Sequence, residues 1–194
     1  MRATLILLAL QGAAFLLIAA LVMLPFGDSL LAQLSFAMAD IGYGIAGALV
    51  LAALVFTPYW LAPRRFDAVI SEQRRTFATV GLRLNWPTIL MLSTIAGISE
   101  EALFRGALQG VALAEAPVWL AILAPNVAFA LLHGPHRVLI GLTFLAGVVI
   151  GLGYVFTQSL VACMIAHGLY DVMALALFRH ALEKTDLGEL RDSQ

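Results

Sequence analysis

Six stretches of the chain are apolar over the length needed to cross a bilayer, and the polar residues fall mostly between them. A spanning helix takes about 20 predominantly apolar residues. Thr4 to Leu24, Phe36 to Leu61, Trp86 to Leu113, Pro117 to His133, Val138 to Phe156 and Leu160 to Phe178 meet that need. The pattern predicts an all-α, polytopic membrane helix bundle with about six transmembrane helices. The first run, Ala3 to Leu24, outlasts the roughly 7 to 15 apolar residues of a secretory signal, and no clear cleavage site follows before Pro25-Phe26-Gly27-Asp28. It is expected to remain as the first span.

Pro63 to Asn85 is the long polar connection. It mixes Arg64, Arg65, Arg74, Arg75 and Arg83 with Phe66, Val69, Ile70, Phe77, Val80 and Leu82, as expected of a helix lying in the headgroup layer. Asn85-Trp86-Pro87 predicts a helix start, since proline is tolerated in the first turn and tryptophan favours the interface. Glycines at 42, 44 and 47, at 106 and 110, and at 147 and 151 have spacings that let helix backbones approach closely. Pro125 removes one backbone hydrogen bond midway along the fourth span and predicts a kink there.

Composition agrees with this reading. The chain has 194 residues, of which 62% are hydrophobic and 12% charged, with a mean hydropathy of +0.96, whereas soluble domains carry about 25% charged residues. One integral membrane domain is expected over residues 1–194, with a motif-bearing core at about 82–178. A net charge of -1 argues against a nucleic-acid partner, which calls for a basic patch. The single cysteine, Cys163, excludes an intrachain disulfide framework. In a six-span arrangement Arg2, the five arginines of 64–83, Arg137, Arg179, Lys184 and Arg191 all fall on one side, and Asp28, Asp40 and Glu115 on the other. The positive-inside rule then puts both termini in the cytoplasm, in a multi-pass protein of a bacterial-type plasma membrane.

One basic residue, Arg105, escapes that partition. Ser99-Glu100-Glu101-Ala102-Leu103-Phe104-Arg105-Gly106 sets three ionisable groups inside the third span. Each costs at least about 2.5 to 3.5 kcal/mol at the bilayer centre unless it faces protein or water. Glu101 and Arg105, four apart, are expected to pair on one helix face. Glu100, about 100° away round the helix, is left free for chemistry. Two more polar pairs occur at helical spacing: Phe129 with His133, and His167 with Asp171, with Cys163 four residues back on the same face. Glu100, His133, His167 and Asp171 are expected to share one cavity, because isolated helices could not all hide them from lipid. Glu101, Arg105 and Phe129 are assigned to support, Cys163 to apolar filling, and His136 and His180 to the solvated surface. Asn126, beside Pro125, is a donor available to freed backbone.

A carboxylate with two histidines suits activation of a water molecule. Glu100, His133 and His167 would equally suit a divalent metal such as zinc, with an open fourth position. A proton- or ion-coupled transporter would use the same groups as a relay, although there is no evident internal repeat of the kind many transporters have. The residues alone leave the first two open.

In order on successive spans, Glu100-Glu101-x-x-x-Arg105, Phe129-x-x-x-His133 and His167-x-x-x-Asp171 resemble the CPBP family of intramembrane proteases. These are also called Abi proteins and are related to the type II CAAX prenyl endopeptidases. The resemblance covers Leu82 to Phe178. It implies an endopeptidase within the bilayer, acting on a peptide or membrane-anchored protein, prenylated in some relatives. Carried over, Glu100 activates water, His133 orients or deprotonates it, His167 and Asp171 stabilise the oxyanion, and Arg105 holds Glu101. The family often has asparagine at the last position. An ionised aspartate cannot donate to an oxyanion, so Asp171 either carries a proton or acts by orienting His167. The resemblance implies a metal-free glutamate mechanism, favoured here with no cofactor, or a metal-dependent one. It also admits an inactive relative serving as an immunity or scaffold protein.

A geometric difficulty accompanies these expectations. Glu100 lies roughly 21 Å along its helix from Trp86, whereas His133 is expected at the cytoplasmic end of its span. Tilt, the Pro125 kink, or a third helix that starts below the membrane surface must bring them together.

Overall fold

The computed structural model describes residues 2–192 apart from Asp28 and Pro135, and their side chains apart from those of Arg2 and 183–192. The expectations that involve Asp28, Pro135 and the side chains of Arg2, Lys184 and Arg191 lie outside the described residues. The elements are α1 (Arg2–Met23), α2 (Met38–Leu61), α3 (Asp67–Thr79), α4 (Trp86–Glu101), a π-helix (Ala102–Gln109), α5 (Gly110–Glu115), α6 (Val118–Leu131), α7 (Arg137–Thr157) and α8 (Leu160–Asp192). Short 3-10 turns lie between α1 and α2 and between α2 and α3, and no strand occurs among the described residues.

Four of the six predicted segments are helices long and apolar enough to cross a membrane: Ala3–Phe26, Met38–Leu61, Arg137–Thr157 and Leu160–Leu182. The third segment is unbroken from α4 through the π-helix to α5, but its composition is spoiled as a span by Glu100, Glu101 and Arg105. The fourth is short. Helix α6 has 14 residues, about 21 Å at 1.5 Å per residue, against a hydrocarbon core of about 30 Å.

Local chemistry sets the helix starts as the sequence suggests. The Asn85 side chain accepts from the Thr88 N–H at 2.9 Å, and Pro87 occupies the first turn of α4. The polar connection does contain a helix, α3, whose apolar residues gather on one side. Helix α6 stops at Leu131; the His133 N–H reaches back to the Ala130 carbonyl at 3.2 Å, and Gly134 turns the chain with φ 107, a conformation that only glycine adopts without strain.

Packing follows small residues. At Gly97 a Cβ would lie 2.9 Å from Gly168 N and 3.0 Å from the Met164 carbonyl oxygen, so α4 and α8 meet backbone to backbone there. Gly44 is similarly closed against Ile165 of α8, and Gly47 against Ala166. One apolar cluster joins α2, α7 and α8 through Leu51, Ala146, Ile150, Leu160, Cys163 and Ala166. A second joins α1, the π-helix and α6 through Ala19, Met23, Leu103, Phe104, Ala107 and Phe129. The outward faces are also apolar, for example Leu7, Leu10, Leu17 and Leu21 on α1, as suits a bundle surrounded by lipid.

The crossing at Gly97 lies one turn from Glu100 and Glu101, and Gly168 is next to His167. Gly97→Ala is therefore expected to force α4 away from α8 and destabilise the fold by about 1 to 3 kcal/mol, the usual cost of overpacking. The far atoms are backbone, which cannot rotate away. Denaturant titration beside wild type would measure it, and unchanged stability would refute it.

Candidate active site

The wide turn of the π-helix follows directly on the two glutamates. π-Helical insertions are rare and concentrate at functional sites. Glu101 and Arg105 are both 0% exposed, and Arg105 Nε lies 3.2 Å from Glu101 Oε2, as the four-residue spacing predicts. The other Glu101 oxygen has a partner that this spacing does not show: Oε1 is 2.7 Å from His167 Nδ1. Glu101 thus bridges a cation on its own helix and an imidazole on α8. The Arg105 guanidinium also lies over the Phe129 ring, 5.2 Å from its centroid, and donates through Nη2 to the Gly147 carbonyl at 3.1 Å.

Glu100 faces the other way, into a cavity. Its Oε2 is 3.9 Å from Nε2 of His133 and 3.9 Å from Nε2 of His167. That oxygen is buried and accepts no hydrogen bond from the protein. His167 Nε2 is also 3.4 Å from Asp171 Oδ2. The structure therefore brings together the four residues expected to share a cavity. It also places the three support residues: Glu101 and Arg105 behind His167, and Phe129 between the two histidines, with ring centroids 4.5 Å from His133 and 6.0 Å from His167.

Hydrogen-bond partners fix the ring of His133. Its Nδ1 is 2.7 Å from the Phe129 carbonyl oxygen, which can only accept, so Nδ1 carries the proton and Nε2 presents a lone pair towards Glu100. Phe129 thus acts through its backbone as well as its ring. His167 has a carboxylate at each ring nitrogen, Glu101 at Nδ1 and Asp171 at Nε2.

The cavity has a volume of about 410 Å³. Its polar end holds Glu100, His133, His167 and Asp171, and its long apolar wall comes from α2, α7, α8 and α3. The contribution of α3, from Val69, Ile70, Gln73 and Phe77 with Phe66 just before it, was not legible in the sequence beyond its amphipathic pattern. Phe77 closes against Phe178 of α8, with ring centroids 5.6 Å apart.

Among the described residues no three His, Cys, Asp or Glu side chains form a group suited to hold a metal ion. Cys163 is buried in the α2–α7–α8 cluster. His180 is exposed, but His136 is not on the solvated surface: it is partly buried and its Nδ1 is enclosed without a partner. The Asn126 amide donates to the Ile122 carbonyl at 2.7 Å, within the turn where Pro125 supplies no N–H.

The difficulty of height disappears because α6 is short. The chain turns at Glu115–Val118, and the 14 residues of α6 run back about 21 Å. Glu101, 14 positions before Glu115, lies the same distance back. His133 therefore arrives level with Glu100 without reaching the level of Trp86.

A family likeness covers the stretch that carries these residues. Residues 82–173 match the family model described as type II CAAX prenyl endopeptidase Rce1-like. Neither curated proteins nor solved structures gave a match. The matched stretch runs from the connection before α4 to Met173 in α8 and includes Glu100, Glu101, Arg105, His133, His167 and Asp171. Over residues 82–173, just under half of its length, this chain, with four helices long and apolar enough to cross a membrane, is thus similar to the type II CAAX prenyl endopeptidase Rce1-like family.

Proposed function

We propose that the chain is an intramembrane endopeptidase that hydrolyses a peptide bond of a membrane-associated protein or peptide, with Glu100 as general base and no metal. The observation that carries this reading is the buried Glu100 Oε2, 3.9 Å from each of two imidazole Nε2 atoms. That gap is too wide for a direct hydrogen bond. It accommodates one water about 2.8 Å from Glu100 and from His133 at once.

Glu100 takes a proton from this water, and His133, whose Nε2 lone pair accepts the other O–H, orients it. The water oxygen bonds to the scissile carbonyl carbon, and the carbonyl π pair moves to oxygen. His167, an imidazolium with a proton on each ring nitrogen between the Glu101 and Asp171 carboxylates, donates from Nε2 to the oxyanion while Glu101 holds Nδ1. Asp171, an acceptor, orients His167 and does not itself bind the oxyanion. Collapse breaks the C–N bond, and the proton on Glu100 passes to the leaving nitrogen. Donors placed for the transition state are worth about 10²- to 10³-fold each. The apolar wall suits a substrate delivered from the bilayer, and both termini are placed in the cytoplasm by the arginine distribution.

A quenched peptide library incubated with the purified protein in detergent tests this reading. Cleavage is expected to persist with a zinc chelator and to vanish in Glu100→Gln. Loss on chelation would overturn the metal-free mechanism. Absence of cleavage, combined with Glu100-dependent proton flux into liposomes, would replace the protease with a transporter.

A further inference from the structure

Behind the catalytic residues lies a second polar assembly that the proposed reaction does not use. Gln109, Asn126 and Arg105 are each 0% exposed and converge on Gly147 and Gly151, two of the four glycines of α7. Gln109 Nε2 donates to the Gly151 carbonyl at 2.8 Å, and Arg105 Nη2 donates to the Gly147 carbonyl at 3.1 Å. Donors four apart on the π-helix thus engage acceptors four apart on α7. Side chains at 147 and 151 would prevent it. A Cβ at Gly151 would lie 3.0 Å from Gln109 Oε1 and 3.2 Å from Asn126 Nδ2, and one at Gly147 would meet Asn126 Oδ1.

Carbonyls inside α7 are already served by their own helix, so these bonds are not needed to satisfy them. What they fix is register. The π-helix has two anchors on α7, Arg105 and Gln109. Arg105 is also the partner of Glu101, which holds His167 Nδ1 at 2.7 Å. Slippage at Gln109 is transmitted through the helix to Arg105, then to Glu101 and the His167 ring.

We propose that Gln109 is a positioning residue for hydrolysis: its amide, hooked on Gly151, holds the π-helix in the register in which Glu101 orients His167. The inference rests on the hydrolytic reading of the site for its kinetic consequence, though not for its structural one. Gln109 does not line the cavity, so it has no route to substrate affinity.

The test uses Gln109→Met, which keeps length and burial while removing the amide; the Gly151 carbonyl keeps the N–H of its own helix, so no buried acceptor is left unsatisfied and little folding cost is expected. With the library peptide that wild type cleaves best, kcat is expected to fall about 10- to 100-fold, with KM and Tm unchanged. Gly151→Ala, which crowds the same hook from α7, is expected to lower kcat comparably. The double variant should be no worse than either single one, because both break one interaction. Independently of cleavage, the strongly hydrogen-bonded His167 Nδ1 proton, assigned in nitrogen-15 spectra by its loss in His167→Gln, is expected to shift or broaden in Gln109→Met. A fall in Tm with unchanged kcat, or multiplicative losses in the double variant, would reduce Gln109 to a structural role and overturn the proposal. An unmoved proton would also overturn it. A wild type that cleaves nothing defeats the hydrolytic reading, and the proton signal still decides the register claim.

Discussion

Arg105→Met will lose most of its folded population in detergent, with a destabilisation of about 3 to 5 kcal/mol, the usual cost of removing one partner of a buried ion pair. The magnitude follows from burial. Arg105 and Glu101 are both 0% exposed and 3.2 Å apart, so the substitution leaves a carboxylate enclosed with only the His167 imidazole to receive it. The arginine also sits against the Phe129 ring and the Gly147 carbonyl, so the π-helix loses one of its two anchors on α7 as well. Removing both charges, in Glu101→Leu with Arg105→Met, should restore much of the stability, because a buried pair exchanged for apolar side chains is often neutral. Activity should stay lost, since His167 then has no acceptor at Nδ1. Denaturant titration of the two proteins beside wild type measures this, and equal stability of wild type and Arg105→Met would refute it.

Glu100→Gln gives the opposite pattern. Cleavage should fall on the order of 10²- to 10⁴-fold, the range for loss of a general base, while the fold is retained. Gln is the same size, and removing the charge relieves repulsion between Glu100 and the neighbouring Glu101 and Asp171. The distinction between adjacent glutamates is therefore sharp: one variant is folded and inactive, and loss of the other's partner is a folding defect. Single-turnover rates with matched melting curves would show it, and retention of a tenth of the wild-type rate would remove Glu100 from the base role.

Some of this arrangement was legible along the chain because it is local. Four-residue spacing on a helix pairs Glu101 with Arg105 and sets His167 beside Asp171, and the cost of charge in an apolar run marks the whole stretch. The long-range partners carry no such signal. Glu101 and His167 are 66 positions apart, and their meeting depends on Gly97 and Gly168, two glycines among many. The π-helix has no clear mark in composition, so Gln109 reads as an ordinary polar residue. Height was misjudged for a different reason. His133 was assigned to the end of a full span, whereas counting back equally from the turn at Glu115–Val118 along both helices places it beside Glu100. The four long spans stood out because length and hydropathy suffice to define them; the boundary of α6 depends on a glycine turn.

The brevity of α6 has a consequence for the surrounding lipid. A helix of 14 residues falls about 9 Å short of a bilayer core about 30 Å thick, and such hydrophobic mismatch is met by local thinning or by polar groups drawn inward. The end that falls short is the one that carries His133. Headgroups and water drawn in at that end would lie closer to Glu100, and the same truncation that levels the two residues would shorten the path by which the proposed hydrolase, in an oily medium, is supplied with its second reactant.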